Sequence, residues 1–237
     1  RIAEHGGHLM VKYGRPVVVF EELLAEHQFT ALHYNHDHEP DALVRDAAVE
    51  KMFRAKGCTA HSYKDQTVFE RDDVLKDDGT PYTVFTPFGR KWRTALEATG
   101  LEHFPSERHL DKLEPWSNAQ ATPTLGDMGF ARASYEVPPF PPPVEQLQRY
   151  ADLRNLPAKD GSTGVGVHLR FGTVSPRALV RLAGSHSDVW LNELIWREFF
   201  MQILWHFPHV VQGAFRPAYD RIAWQNDEGM FERWCEG

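Results

Sequence analysis

The stretch Trp190-Leu-Asn-Glu-Leu-Ile-Trp-Arg-Glu-Phe-Phe-Met-Gln-Ile-Leu-Trp205 is apolar almost all the way round. Leu191, Leu194, Ile195, Phe199, Met201, Ile203 and Leu204 cover several faces of a helix, and such a helix is normally buried. It also carries Glu193, Arg197 and Glu198. An unpaired buried charge is costly, so each must pair, reach solvent or serve a ligand. At about 100° per residue, Glu193, Trp196, Arg197 and Phe200 fall within one sector about 100° wide. Two readings are open. One is an internal Glu193–Arg197 pair at i,i+4 with the tryptophans as core. The other is a pocket that stacks a flat ligand and exchanges one hydrogen bond with it.

The rest of the chain divides around this helix. Residues 8–13 read as a strand ended by Gly14, and a helix follows over Val17–Glu26 with Pro16 in its first turn. Phe29–Tyr34 reads as a second strand. Asp41–Lys56 has helical spacing closed by Gly57, and Cys58–Tyr63 reads as a third strand. Strand, helix, strand, helix, strand at this spacing predicts a parallel sheet covered by helices. Residues 77–87 read as turn and loop, and Lys91–Ala98 as a short helix. The segment 100–143 is rich in Pro, Ser and Asp and ends in Pro-Pro-Phe-Pro-Pro-Pro, so it reads as a connector. Helical patterns then cover Val144–Asn155, Pro176–Ala183, Val189–His206 and Asp227–Cys235. The expected fold class is α/β plus α: an α/β domain over 1–99, a connector over 100–143 and a helical domain over 144–237.

Net charge does not announce a nucleic-acid partner. The 237 residues carry a formal −7, of which −6 falls in 1–142 and −1 in 143–237. Any such surface must be a local patch. Cys58 and Cys235 have neither framework nor metal spacing, which fits a reducing cytosol. No run of 18 apolar residues and no signal peptide is visible, so no membrane partner is expected. Arg1 stands where a helix reads as ending and Gly237 follows an aromatic-rich stretch; both ends are expected to be cuts.

A second segment bears on chemistry. In Asp160-Gly-Ser-Thr-Gly-Val-Gly-Val-His-Leu-Arg-Phe-Gly-Thr-Val-Ser-Pro176, small residues bring backbone N–H groups and two hydroxyls close to whatever binds. That suits phosphate oxygens. It equally suits an ordinary Gly-rich turn. His36-Asp37-His38-Glu39 has two histidines at i,i+2, which is poor zinc spacing, and reads as a solvated loop with no metal. Arg90, Lys91 and Arg93 read as a solvated helix face. His206 and His209, at a helix end, are expected to bond backbone or water.

In order along the chain, Tyr82-Thr-Val-Phe-Thr-Pro-Phe88, His168-Leu-Arg-Phe-Gly-Thr-Val-Ser-Pro176, Trp190-Leu-Asn-Glu-Leu-Ile-Trp-Arg-Glu-Phe199 and Trp234-Cys-Glu-Gly237 resemble the photolyase/cryptochrome family. Asn35-His-Asp-His-Glu-Pro40 with Arg45-Asp46 is similar to a loop and helix of the family's α/β domain. The match is most like a class I cyclobutane pyrimidine dimer photolyase, a carbon–carbon lyase. The resemblance implies an α/β antenna domain, here without its first strand, a long connector and the front of a helical FAD-binding domain. It implies that light excites reduced FAD, which gives an electron to a flipped-out pyrimidine dimer in damaged DNA; the ring splits and the electron returns. A second antenna chromophore is implied, its identity unknown. The implied setting is a cytoplasmic, prokaryotic-type monomer, nucleoid-associated when bound to DNA.

Carried over by position, Tyr150 and the loop Ser162, Thr163, Gly164, Val165 and Gly166 resemble the first FAD contacts, at the phosphates and ribityl chain. Trp190 resembles a further residue of that site. Glu193 resembles the acid facing the dimer, and Trp196 the ring that packs on the damaged bases; these two are the implied catalytic residues. Arg154, Arg197 and Phe200 complete the implied DNA contacts. A Glu in a dry aromatic pocket is expected to stay protonated near neutral pH. It would then donate to a thymine carbonyl as that carbonyl takes up negative charge. An aromatic wall suits an extruded base, and arginines fix register on phosphate.

The chain departs from the family pattern in three places. The loop, often Thr-Ser-x-Leu-Ser, is Ser162-Thr-Gly-Val-Gly166 here, so a backbone N–H must serve where the last hydroxyl is lost. Gly79-Thr-Pro-Tyr82 lacks the Glu of some folate-binding members, so folate is not assigned. The family's Thr-Gly-x-Pro-x-Val-Asp segment, which leads into the Asn, Asp and tryptophan chain at the flavin ring, is absent. This chain alone is therefore expected to bind FAD weakly or not at all and to be inactive. The alternatives are a cryptochrome, for blue-light signalling or of DASH type; a photolyase for (6-4) lesions; and a binding module with no flavin or light dependence.

Overall fold

A computed structural model describes residues 2–113 and 122–237. In chain order the regular elements are α1 (Pro16–Glu26), β1 (Ala31–Asn35), α2 (Pro40–Ala55), β2 (Thr59–Tyr63), α3 (Phe85–Thr99), α4 (Val144–Gln148), α5 (Tyr150–Leu153), α6 (Gly166–Arg170), α7 (Pro176–His186), α8 (Asp188–His206) and α9 (Glu228–Glu236). A 3-10 turn, Ser106–Lys112, lies in the segment expected to be a connector; its residues 114–121 are outside the described part.

β1 and β2 pair in parallel with Ala31 opposite Thr59 and Asn35 opposite Tyr63. α2 is the crossover between them, as a parallel pair requires. Pro40 opens α2, and Gly57, with φ +82°, follows its end. There the Gly57 and Cys58 N–H groups donate back to the Arg54 and Phe53 carbonyls, a left-handed cap that glycine adopts without Cβ strain. Val49, Phe53 and Cys58 form a small core with Phe20, Leu24, Phe29 and Leu32 against it.

Two sequence expectations need correction. Residues 8–13 are not a strand, so the sheet among the described residues has two strands rather than three. Met10 and Lys12 face Ala31, Leu32 and His33 across a cleft of about 570 Å³. A β-prone run becomes a strand only when a neighbour takes its backbone groups. Helix α3 begins at Phe85, so residues 85–87 are helix, not loop. Pro87 sits in the first turn, where its missing N–H costs nothing. A smaller difference lies at 144–155, where two short helices meet at Arg149.

The larger core joins segments from both sides of 100–143. Phe88 and Trp92 of α3, Leu147 of α4, Leu179 of α7 and Ile195 of α8 are fully buried together. Each such side chain contributes about 1.5–3 kcal/mol relative to exposure. This core, not the sheet, holds α8 in place.

Candidate functional site

Ser187 caps α8 by accepting from the Trp190 N–H at 3.3 Å. The helix then divides its polar residues between two opposite sides. Toward the interior, Glu198 is fully buried and accepts from the backbone N–H of Val68 at 2.5 Å, from that of Phe69 at 3.2 Å, and from Trp92 Nε1 at 2.6 Å. Burial pushes its carboxyl up to about 7, against the pull of those three donors and of Arg197. Gln202 donates to the Arg71 and Val74 carbonyls, and Arg197 to the Gln66 carbonyl at 2.5 Å. Burial lowers the Arg197 pKa. From α7, buried Arg177 donates to the Asp65 and Lys64 carbonyls. The segment 64–74 is thus held by side chains of α7 and α8.

On the outer side, Glu193 forms an ion pair with Arg154, each side chain about one-third exposed (32% and 31%). The pair expected within the helix, Glu193 with Arg197, is not formed: Arg197 is turned to Gln66. Nor is Glu193 in a dry pocket. The Arg154 guanidinium also lies 5.5 Å from the Tyr150 ring centroid. The Tyr150 hydroxyl is pushed up chiefly by burial, with Arg154 lowering it and Glu193 raising it. Trp196 follows one turn on, stacked on Phe85 with ring centroids 3.5 Å apart, and exposed Phe200 lies beyond it at 5.5 Å. Tyr150, Arg154, Glu193, Trp196 and Phe200 therefore converge, while Trp190 is buried in the main core.

Ser162, Thr163 and Gly164 line a separate cleft of about 550 Å³ with Gln146, Arg149 and Leu153. The Ser162 carbonyl accepts from Gln146 Nε2 at 2.5 Å. Gly164 has φ +64°, and a Cβ there would meet Pro138 Cγ at 2.6 Å, so both its conformation and its packing require glycine. Val165 packs into the main core, and Gly166 opens α6 with free space around its Cα. The backbone N–H groups of Thr163, Gly164, Val165 and Gly166 donate to no acceptor among the described residues. Successive unpaired N–H groups beside two hydroxyls form a donor set that fits phosphate oxygens, so the loop fits the phosphates of FAD.

The loop 36–39 is less solvated than expected. His38 is buried and lies 3.6 Å from Glu70, while His36 Nδ1 meets the same carboxylate at 2.5 Å. Among the described residues, no three or more His, Cys, Asp or Glu side chains are grouped so as to hold a metal ion. His206 and His209 bond the Arg71 and Phe215 carbonyls. The sequence marked Glu198 as a charge needing a partner but not Trp92 as that partner, and it gave Phe85, read only within Tyr82–Phe88, no role of its own. The only signal for either was a large ring at the start or middle of an amphipathic helix.

Residues 1–108 match the family model described as DNA photolyase, and residues 190–237 match the FAD binding domain of DNA photolyase. A deoxyribodipyrimidine photo-lyase of Synechococcus sp. is 29% identical, the match covering 100% of this chain and 54% of that protein. The chain thus spans about half the length of the curated relatives it matches. Among solved structures, a bacterial class III photolyase from Agrobacterium tumefaciens superposes with a TM-score of 0.77 at 23% identity, over 98% of this chain and 52% of that one. An archaeal photolyase from Sulfolobus tokodaii, solved with two FAD molecules, superposes with a TM-score of 0.70 at 23% identity, over 99% and 52%. No helix among the described residues is long and apolar enough to cross a membrane. With two segments, of 108 and 48 residues and so 156 of the 237, matching the two domain models of one enzyme, and with relatives of that name aligned along the whole of this chain, the chain belongs to the photolyase/cryptochrome family.

Proposed function

We propose that the protein is a deoxyribodipyrimidine photolyase that repairs cyclobutane pyrimidine dimers in DNA with light. One observation carries this reading: Glu193, Trp196 and Phe200 follow one edge of α8 with Arg154 against it, Phe200 exposed and the Glu193–Arg154 pair partly open to solvent. That edge offers a flat wall, an acid and a guanidinium to a base taken out of the stack. The chemistry supplied by reduced FAD, when bound, is a light-driven electron given to the dimer and returned after the ring opens.

The chain's own residues bind and orient. The N–H groups of 163–166, with the Ser162 and Thr163 hydroxyls, hold phosphate oxygens of FAD. Tyr150 packs against the main core beside Arg154, and Trp190 lies within that core. Arg154 moves from Glu193 to a DNA phosphate as the substrate docks. Glu193, released from Arg154, then faces the damaged bases from α8. Trp196 and Phe200 stack the damaged bases. Arg197, held by the Gln66 carbonyl, reaches DNA only if that bond opens, so its contribution is the smaller of the two arginines. A second chromophore fits the cleft of about 620 Å³ lined by Arg15, Asp37, Arg45 and Arg170. The archaeal relative with two FAD molecules supports such a second site. The reading keeps the division at 1–99, 100–143 and 144–237, and places a monomeric protein in the cytoplasm.

The test uses the full-length gene product and, beside it, the 237-residue chain alone. Each is incubated with an oligonucleotide carrying one thymine dimer, in light and in darkness, and intact dimers are counted. Light-only repair that weakens in Glu193→Ala supports the proposal. Bound flavin with no repair of duplex or single strands would replace it with a signalling cryptochrome. Repair of single strands alone would favour the DASH type.

A further inference from the structure

Trp196 is the ring on which base stacking depends, and it lies half-buried at the edge of the main core, where an indole with no ring against it would sample several rotamers. Its plane is set from another helix. Phe85, the first residue of α3, lies parallel to it, with centroids 3.5 Å apart and an interplanar angle of 6°. Phe200 stacks on Trp196 at 5.5 Å and 23°. Phe199 closes edge-on against both Phe85 and Trp196. Phe85 thus covers one face of the indole. Phe85 in turn is anchored. Phe88 and Trp92, farther along α3, are fully buried, and Trp92 Nε1 donates to Glu198 of α8 at 2.6 Å. The start of α3 is therefore fixed relative to α8, and Phe85 transmits that fixed position to Trp196.

We infer that Phe85 is a positioning residue for dimer recognition: it holds the Trp196 ring in one plane, so that Trp196 and Phe200 meet an extruded base as a preset wall. This inference rests on the dimer-repair reading above. Its physical content is pre-organisation. A ring already fixed loses no rotamer freedom when the base arrives, whereas a loose ring must be ordered at that moment. The gain applies to the extruded base and not to the phosphate contacts. Phe85 should therefore set discrimination between damaged and undamaged DNA, not general affinity.

The experiment compares wild type, Phe85→Leu and Phe85→Tyr in the full-length gene product labelled with 5-fluorotryptophan. The Trp196 fluorine resonance is assigned with Trp196→Phe. The dissociation constant is measured for a duplex with one thymine dimer and for the same duplex undamaged. Expected are one narrow Trp196 line in wild type, a split or exchange-broadened line in Phe85→Leu, and a narrow line again in Phe85→Tyr. Discrimination for the dimer should fall by about three- to tenfold in Phe85→Leu, the scale of freeing one large side chain, with undamaged affinity unchanged and the Tyr variant restored. A narrow Trp196 line in Phe85→Leu would overturn the inference, as would a broadened line with discrimination intact. A wild type that does not prefer the dimer defeats the repair reading, and recognition by this ring with it. The fluorine line then decides separately whether Phe85 holds the ring. If Phe85→Leu does not unfold cooperatively, Phe85→Met is read in its place.

Discussion

On one side of α8, Glu198 is 3% exposed and its two oxygens accept from three N–H donors. On the other side, Glu193 is about one-third exposed and meets a single guanidinium. The two acids are five residues apart, which at about 100° per residue places them on nearly opposite faces. The inner acid is satisfied by groups that cannot leave: two backbone N–H groups of the 64–74 segment and one indole in the core. The outer acid is satisfied by a long side chain that solvent or a phosphate can take over. A carboxylate built into the core serves architecture. A carboxylate whose partner is removable is one a substrate can reach. Exposure and the nature of the partner, not the residue type, separate the clamp from the site.

The largest expected effect lies on the inner side. Glu198→Ala leaves the Val68 and Phe69 N–H groups and Trp92 Nε1 without acceptors. Unsatisfied buried donors and broken buried networks cost about 3–5 kcal/mol. Urea unfolding should show that loss as a fall in midpoint, and a loss below about 1 kcal/mol would break the contrast with Glu193. Glu198→Gln keeps one acceptor oxygen and should lose less, about 1–3 kcal/mol. It should also alter the pH dependence. The folded carboxyl titrates near 7 against an ordinary 4.5, so the folded state holds this proton more tightly than the unfolded state. The contribution of this group is full below about pH 4.5, declines as pH rises toward 7 and is level above. Subtracting the Glu198→Gln stability profile from the wild-type one should reveal that decline. A flat difference would mean that the three donors, not burial, govern the group.

Gln202 tests the same side with an uncharged residue. Gln202→Leu leaves the Arg71 and Val74 carbonyls without the side-chain donor they share. The expected loss is about 1–2 kcal/mol, since carbonyls regain water more readily than core N–H groups. Hydrogen exchange should show faster opening of 64–74 in this variant with the small core around Phe53 unchanged. If exchange rises equally in both places, the segment is not held by α8 in the way its bonds imply.

Much of this could be read in the sequence, and what could not has a physical reason. The α8 helix was legible because its apolar residues extend over a length that only a buried helix explains. The closure of α2 at Gly57 was legible because the cap is local. Phe85–Pro87 read as loop because Pro87 signals a break unless the chain is already known to start a helix there. Residues 8–13 read as a strand because propensity is local and pairing is not. The partners of the two acids were hidden for the same reason. Trp92 lies 106 residues before Glu198, and Arg154 lies 39 before Glu193. The i,i+4 rule favoured Arg197 as the partner of Glu193. It failed because the Gln66 carbonyl, brought close only by the tertiary fold, takes that guanidinium.

The smallest effect on stability, and the one that best separates the two sides, is expected at Arg154. Its pair with Glu193 is partly open to solvent, and exposed pairs contribute about 0–1 kcal/mol. Arg154→Ala should leave the unfolding midpoint within that range. It removes one phosphate contact from the proposed DNA face, so affinity should fall by a similar factor for damaged and undamaged duplex, and the slope of log affinity on log salt should become shallower by about 1. Loss of discrimination without loss of general affinity would instead mean that Arg154 acts by orienting Glu193. A drop in midpoint near that of Glu198→Ala would mean that the outer pair is as structural as the inner one, and the division of α8 into a clamp and a site would not hold.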